Sequence, residues 1–230
     1  MAVANRREMM RPEIITTKSG LTATLYVADC MEVLPTLGDI DALITDPPYG
    51  ISHPCNFSER GRNNLAGCND YADVANDDVP FDPKAFLSLG VPTLFWGGNW
   101  FADNLPPVGG WLVWDKERPD GLDQATCELA WTNFVKGVRV YKHLWHGMMR
   151  ASEHGESYHP TQKPVALYEW VFSLKWTPAG TVFDPFMGSG PCGVAALRCG
   201  RNYIGVELSR DYYEIAKRRI QAEAAQGRLF

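Results

Sequence analysis

The sequence predicts an α/β protein, an open and mostly parallel sheet flanked by helices, and three observations carry that prediction. Its 230 residues are 45% hydrophobic and 21% charged, the balance of one large domain with a core of its own. In the C-terminal part, short apolar runs alternate with helical periodicity, the grammar of βαβ units. A glycine-rich turn lies at one of those strand-to-helix junctions, where such sheets receive ligands.

Residues 1–20 carry little pattern and read as a lead-in, so that 21–230 form the domain. "TATLYVADC" and "IDALIT" read as strands from their apolar and β-branched content. Residues 51–80 are polar, rich in Asn and Gly and without period, and a loop that long inside a domain usually carries function. "PTLFWGG", "GWLVWDK", "CELAWTNF" and "VRVYKHLW" supply further strands. In "VALYEWVFSLKW", Leu167, Val171 and Leu174 fall at helical spacing, with Pro164 suited to a first turn. Then come a strand "TVFD", a loop "PFMGSG", a helix "CGVAALRCG", a strand "NYIGVEL" and a last helix "RDYYEIAKRRIQAEAAQG".

Several classes are disfavoured. The six cysteines form no Cys-x-x-Cys pair, which argues against a structural zinc site or disulfide framework, and no metal is expected. The opening "MAVANRREMMRPEII" lacks an apolar signal core, and no apolar run is long enough for a bilayer. A cytoplasmic protein without membrane contact is the expectation. A net charge of −5 speaks against non-specific coating of nucleic acid. Local contact is another matter. Between Glu128 and Glu153 no acid occurs, while Lys136, Arg139, Lys142 and Arg150 alternate with Trp131, Phe134, Tyr141 and Trp145. A basic face of that kind attracts phosphates.

Gly188, Gly190 and Gly193 fit G-x-G-x-x-G between a strand and a helix, and Glu207 ends the next strand, 19 residues after Gly188. A carboxylate there can accept from both hydroxyls of a ribose. The preceding Asp184 and Phe186 suit a cation better than a diphosphate, through an ammonium contact and cation–π attraction. S-adenosylmethionine carries a ribose, an ammonium and a sulfonium.

The stretch "DALITDPPYG" ends a strand on Asp46, Pro47, Pro48 and Tyr49. Two prolines remove two donors and fix the backbone, leaving carbonyl oxygens on offer. An exocyclic base amine is a poor nucleophile because its lone pair is delocalised into the ring. The Asp46 carboxylate and Pro47 carbonyl could grip its two N–H bonds and localise that pair, and Tyr49 could stack on a base turned out of the duplex.

In order, "LYVADCMEVL", "ITDPPYG", "WLVWDK", "CELAW", "HPTQKP", "VFDPFMGSG" and "NYIGVELSRDYYEIAKRRI" resemble the β-class amino-methyltransferases of DNA, including phage-borne and restriction-linked adenine methylases. The resemblance implies a Rossmann-like methyltransferase fold, circularly permuted so that the catalytic box precedes the glycine loop. It implies Asp46, Pro47, Pro48 and Tyr49 as the catalytic box. Asp29, Cys30, Thr161, Lys163, Asp184, Phe186, Gly188, Ser189, Gly190 and Glu207 would bind S-adenosylmethionine and its product S-adenosylhomocysteine. Asp at the head of the box resembles adenine enzymes, with cytosine-N4 chemistry as the alternative, and RNA methylation or a non-catalytic DNA-binding protein further behind. Arg60, Arg62, Lys116, Lys136, Arg139, Lys142 and Arg150 are the candidates for DNA contact, with 51–80 and 136–158 as recognition segments. DNA with its target base flipped out is the implied partner, in a bacterial or phage-infected cell; a homodimer and a cognate restriction nuclease stay open. Only 42 residues separate Lys116 from His159, little room for a target-recognition region, which suggests relaxed specificity.

Overall fold

The fold was obtained as a computed structural model, which describes residues 11–50, 78–119, 125–146, 149–154, 158 and 162–226. Nine strands form one sheet: β1 (Glu13–Thr16), β2 (Thr22–Val27), β3 (Ala42–Thr45), β4 (Thr93–Trp96), β5 (Trp111–Asp115), β6 (Cys127–Thr132), β7 (Val138–Lys142), β10 (Thr181–Asp184) and β11 (Asn202–Glu207). A two-stranded ribbon pairs β8 (Trp145–His146) with β9 (Met149–Arg150). The order across the large sheet is β1-β2-β11-β10-β3-β4-β6-β5-β7. From β2 to β4 neighbours run parallel; β6 then runs antiparallel to both β4 and β5.

The central strands β3 and β4 are buried at every residue, as expected for a sheet covered on both faces. Helices α3 (Val165–Ser173), α4 (Pro191–Arg198) and α5 (Arg210–Ala225) follow the predicted segments. Leu167 and Val171 are fully buried, whereas Leu174 caps the end of α3 rather than extending it. Helix α5 opens on Ser209, whose hydroxyl accepts from the Tyr212 amide. Two one-turn helices, α1 (Cys30–Val33) and α2 (Lys84–Leu87), are too short to show as sequence periodicity.

One expectation needs correction. The lead-in is not structureless, because Glu13–Thr16 pairs antiparallel with β2 as the edge of the sheet. Its alternation is weak: Ile14 is 61% exposed and only Ile15 is buried. Glu13 also pairs with Lys217 of α5 at 2.7 Å, so the start of the domain lies before residue 21.

Candidate active site

Strands β10 and β3 are parallel neighbours, with Val182 opposite Ala42 and Phe183 opposite Leu43. Their C-terminal ends therefore deliver the glycine loop and the Asp46 box to one rim of the sheet. Glu207 at the end of β11, Asp29 after β2 and Gly97 after β4 reach the same rim. Crevices outside the carboxyl ends of parallel strands are where open α/β sheets bind ligands.

The loop is built to turn tightly. Gly188 and Gly190 have φ of 51° and 78°, in the left-handed region that favours glycine. A Cβ on Gly190 would lie 2.9 Å from the Ala216 side chain. Pro191 follows at the first position of α4, where its missing N–H costs nothing. Glu207 holds the loop from below, accepting from the Gly188 amide at 2.9 Å and the Ser209 amide at 2.8 Å. Burial pushes the Glu207 carboxyl up, and these amide bonds only partly offset it. On the far side, Arg219 donates to the carbonyl and hydroxyl of Ser189 and pairs with Glu153 at 2.6 Å.

Asp184 takes a different place from the one expected. It is 2% exposed and accepts from the Thr45 hydroxyl (2.6 Å), the Phe186 amide (3.2 Å) and the Tyr203 hydroxyl (3.0 Å). Burial raises its pKa to about 7 against those three donors. It fastens β10 to β3 and β11 beneath the crevice. Phe186, half-buried, packs edge-on against Phe81 and Phe86 at 5.6 and 5.7 Å.

The box itself centres on charge. Asp46 Oδ1 accepts from the Tyr49 hydroxyl at 2.5 Å, and Asp46 Oδ2 accepts from Lys163 Nζ. Lys163 also donates to the Tyr49 oxygen at 3.1 Å and lies 3.1 Å from Glu128 Oε2. Glu128 Oε1 accepts in turn from Lys116. Two carboxylates and two ammonium groups thus form one chain. Burial raises Asp46, and the Lys163 ammonium offsets it only in part. For Glu128 burial also pushes upward, but Lys163 and Lys116 together outweigh it and hold the carboxyl down at about 2. Burial pulls Lys163 down, and Asp46 and Glu128 more than compensate, so it stays charged. Among the described residues no donor bonds the Pro47 carbonyl, which remains available as the second acceptor. Tyr49 packs against Gly97, where a Cβ would sit 2.0 Å from its ring, and lies nearly parallel to Trp100 at 6.5 Å.

The other expected residues divide clearly. Asp29 is exposed and caps α1, accepting from the Met31 amide at 2.8 Å, while Cys30 is buried behind it with its thiol pushed by burial up to about 12. Lys163, expected over the cofactor, donates to Asp46. Lys116, expected at DNA, is 8% exposed, lies over Trp114 and is bonded to Glu128. Lys136 and Lys142 are exposed; Arg139 and Arg150 are half-buried, with guanidinium groups over Trp176 and Trp145. Arg60, Arg62 and Thr161 lie outside the described residues. Sequence reasoning gave no role to Glu128, Trp100, Thr45 or Tyr203. The signal for Glu128 was an acid inside the apolar strand "CELAW", a residue type rarely buried unless paired.

Comparison with known proteins agrees with this rim. The family model N6_N4_Mtase, described as DNA methylase, matches residues 111–218, which include Glu128, Lys163 and the glycine loop. The chain is 26% identical over 244 aligned positions to Type II methyltransferase M.HinfI of Haemophilus influenzae, covering 86% of the chain and 68% of that relative. It is 39% identical over 83 residues to Type II methyltransferase M2.DpnII of Streptococcus pneumoniae, covering 36% of the chain and 31% of the relative. Among solved structures, the chain superposes on the M1.HpyAVI–SAM complex with TM-score 0.53 at 21% identity, covering 86% of this chain and 98% of that one. It superposes on the cytosine-N4-specific PvuII DNA methyltransferase with TM-score 0.57 at 14% identity, covering 94% and 98%. Those likenesses show a shared Rossmann-like methyltransferase fold. Among the described residues no group of His, Cys, Asp and Glu could hold a metal, and no helix is long and apolar enough to cross a membrane.

Proposed function

We propose that this protein is a DNA methylase that transfers a methyl group from S-adenosylmethionine to the exocyclic amine of adenine in DNA, giving S-adenosylhomocysteine. The single observation that carries this reading is the placement of Asp46 and the glycine loop at the ends of adjacent strands. The residues at the rim fit the cofactor. Glu207 and Asp29 are acids at the crevice, each able to accept hydroxyl or amine donors, and Phe186 gives an aromatic wall for a cation. When bound there, the cofactor supplies an electrophilic methyl on a positively charged sulfur.

Asp46 and the Pro47 carbonyl would accept the two N–H bonds of the target amine and localise its lone pair. With the cofactor bound, that pair would form the new N–C bond as the S–CH3 bond broke, the sulfur keeping its electrons, and the amine would then give up one proton. Asp46 stands at the right place to receive it. Tyr49 and Trp100, 16° from parallel at 6.5 Å, resemble a slot for one flat base, which needs about 7 Å between rings at the stacking distance of about 3.4 Å. The exposed Lys136 and Lys142 would meet the phosphates of the flipped strand.

Adenine is favoured over cytosine by the acid at the head of the box, and relaxed sequence preference by the short span between Lys116 and His159. Incubating the protein with unmethylated DNA and labelled cofactor, then digesting to nucleosides for mass spectrometry, tests the choice of base, and reading methylation of a random-sequence library at single-base resolution tests the sequence preference. The expected product is 6-methyladenine; 4-methylcytosine would move the reading to the other base, and absence of any transfer would overturn it.

A further inference from the structure

Asp46 is a weakened acceptor for the amine as it stands. Its two oxygens are taken, one by the Tyr49 hydroxyl and the other by the Lys163 ammonium. A carboxylate already neutralised by an ammonium is a weaker acceptor for a third donor. The place vacated must also be one the ammonium can leave without being stranded in a buried site, since an unpaired buried charge is costly.

The structure holds such a place. Glu128 Oε2 lies 3.1 Å from Lys163 Nζ, yet among the described residues it is a buried oxygen with no hydrogen bond. Its sister oxygen is fixed by Lys116, and Glu128 sits on β6 between β4 and β5, so the receiving group does not move. Lys163, 3% exposed at its side chain, has three N–H donors and bonds Asp46 and Tyr49 with two of them. A small rotation about its last bonds would exchange one carboxylate for the other.

We propose that Lys163 and Glu128 are positioning residues for the box acid, Lys163 covering Asp46 until the substrate amine arrives and then passing to Glu128. This rests on the methyl-transfer reading above. The exchange keeps every charge paired: the amine N–H bonds replace the ammonium on Asp46, while the ammonium turns wholly onto Glu128 Oε2, with which it is already paired at 3.1 Å. It also makes the acid strongest as an acceptor only when a base is in place.

The test is Glu128→Gln, measured beside the unaltered protein for kcat, KM for DNA, and cofactor affinity by calorimetry. The amide is a poor receiver for the ammonium, so Lys163 stays on Asp46. The expected result is a kcat lower by tenfold or more, with KM and cofactor Kd within threefold of the parent, and Glu128→Asp recovering at least a third of kcat. A merely structural Glu128 would instead shift Kd, KM and melting temperature together. If the unaltered protein transfers no methyl, the functional reading itself fails. If it does and Glu128→Gln keeps more than half of kcat, the handover is overturned. Should Glu128→Gln not fold, Lys163→Arg decides: a guanidinium holding Asp46 through two parallel bonds lowers kcat at least as far, and an unchanged kcat overturns the proposal.

Discussion

Asp184→Asn isolates the acid beneath the crevice, and its effect on stability depends on pH in a direction the structure dictates. The carboxyl is buried with a pKa of about 7, against the ordinary value of 3.8 that it regains on unfolding. Between those values the folded chain holds a proton that the unfolded chain releases. Stability from this group is therefore fully present below pH 4 and is lost as pH rises through 7. Each unit corresponds to about 1.4 kcal/mol, so the parent should lose about 2.5 to 3 kcal/mol between pH 5 and pH 8 through Asp184 alone. Asparagine has the same shape, keeps an acceptor for Thr45 and Phe186, and does not titrate. Its stability relative to the parent should therefore rise by that amount across the interval, whatever it loses at pH 5 from poorer bonding to Tyr203. Urea unfolding at pH 5, 6, 7 and 8, with equal slopes for both proteins, measures this directly. A difference between the two that is flat with pH would refute the reasoning, because it would mean that Asp184 does not carry a proton at neutrality.

Three further outcomes are expected. Gly190→Ala forces a side chain into φ +78° and to within 2.9 Å of Ala216, and should cost about 2 to 3 kcal/mol in thermal or urea unfolding. Glu207→Gln leaves one oxygen for the two amides of Gly188 and Ser209 and turns an NH2 on the other, so the melting temperature should fall, and, on the proposed reading in which Glu207 holds a ribose, cofactor affinity by calorimetry should fall about tenfold, roughly 1.4 kcal/mol. Trp100→Ala removes a 57% exposed ring, so folding should be unaffected while DNA binding weakens; loss of one stacking face predicts about 1 to 3 kcal/mol, read with a 2-aminopurine oligonucleotide.

Much of this fold was legible because its strands are short, apolar and punctuated. "TVFD" and "NYIGVEL" became β10 and β11 with the glycine loop between them, since a strand, a tight turn and a helix each leave a separate composition signal. Glu13–Thr16 left none: an edge strand with Ile14 exposed and one buried residue lacks the alternation of a covered strand. The site was legible in its motifs and opaque in its pairings. Asp46, Glu207 and the glycines stand out in the sequence because local backbone demands mark them. Lys163 and Lys116 were named without their partners, since a lysine's partner is set by which strands become neighbours. No local pattern told that Glu128 would stand between them. Asp184 was misjudged for a related reason. Its acid beside glycines looks like a ligand group until Thr45 and Tyr203, far apart in the chain, close over it.

The change of direction at β6 has a structural yield of its own. A wholly parallel sheet can furnish its upper rim only with loop residues, because every strand finishes there. A strand entering from above instead brings its opening residues to that height while already paired with a neighbouring strand, as Glu128 is with Trp114 of β5. Glu128 thus acquires the rigidity of sheet interior at a level where its neighbours depend on turns, a fixed post among movable parts.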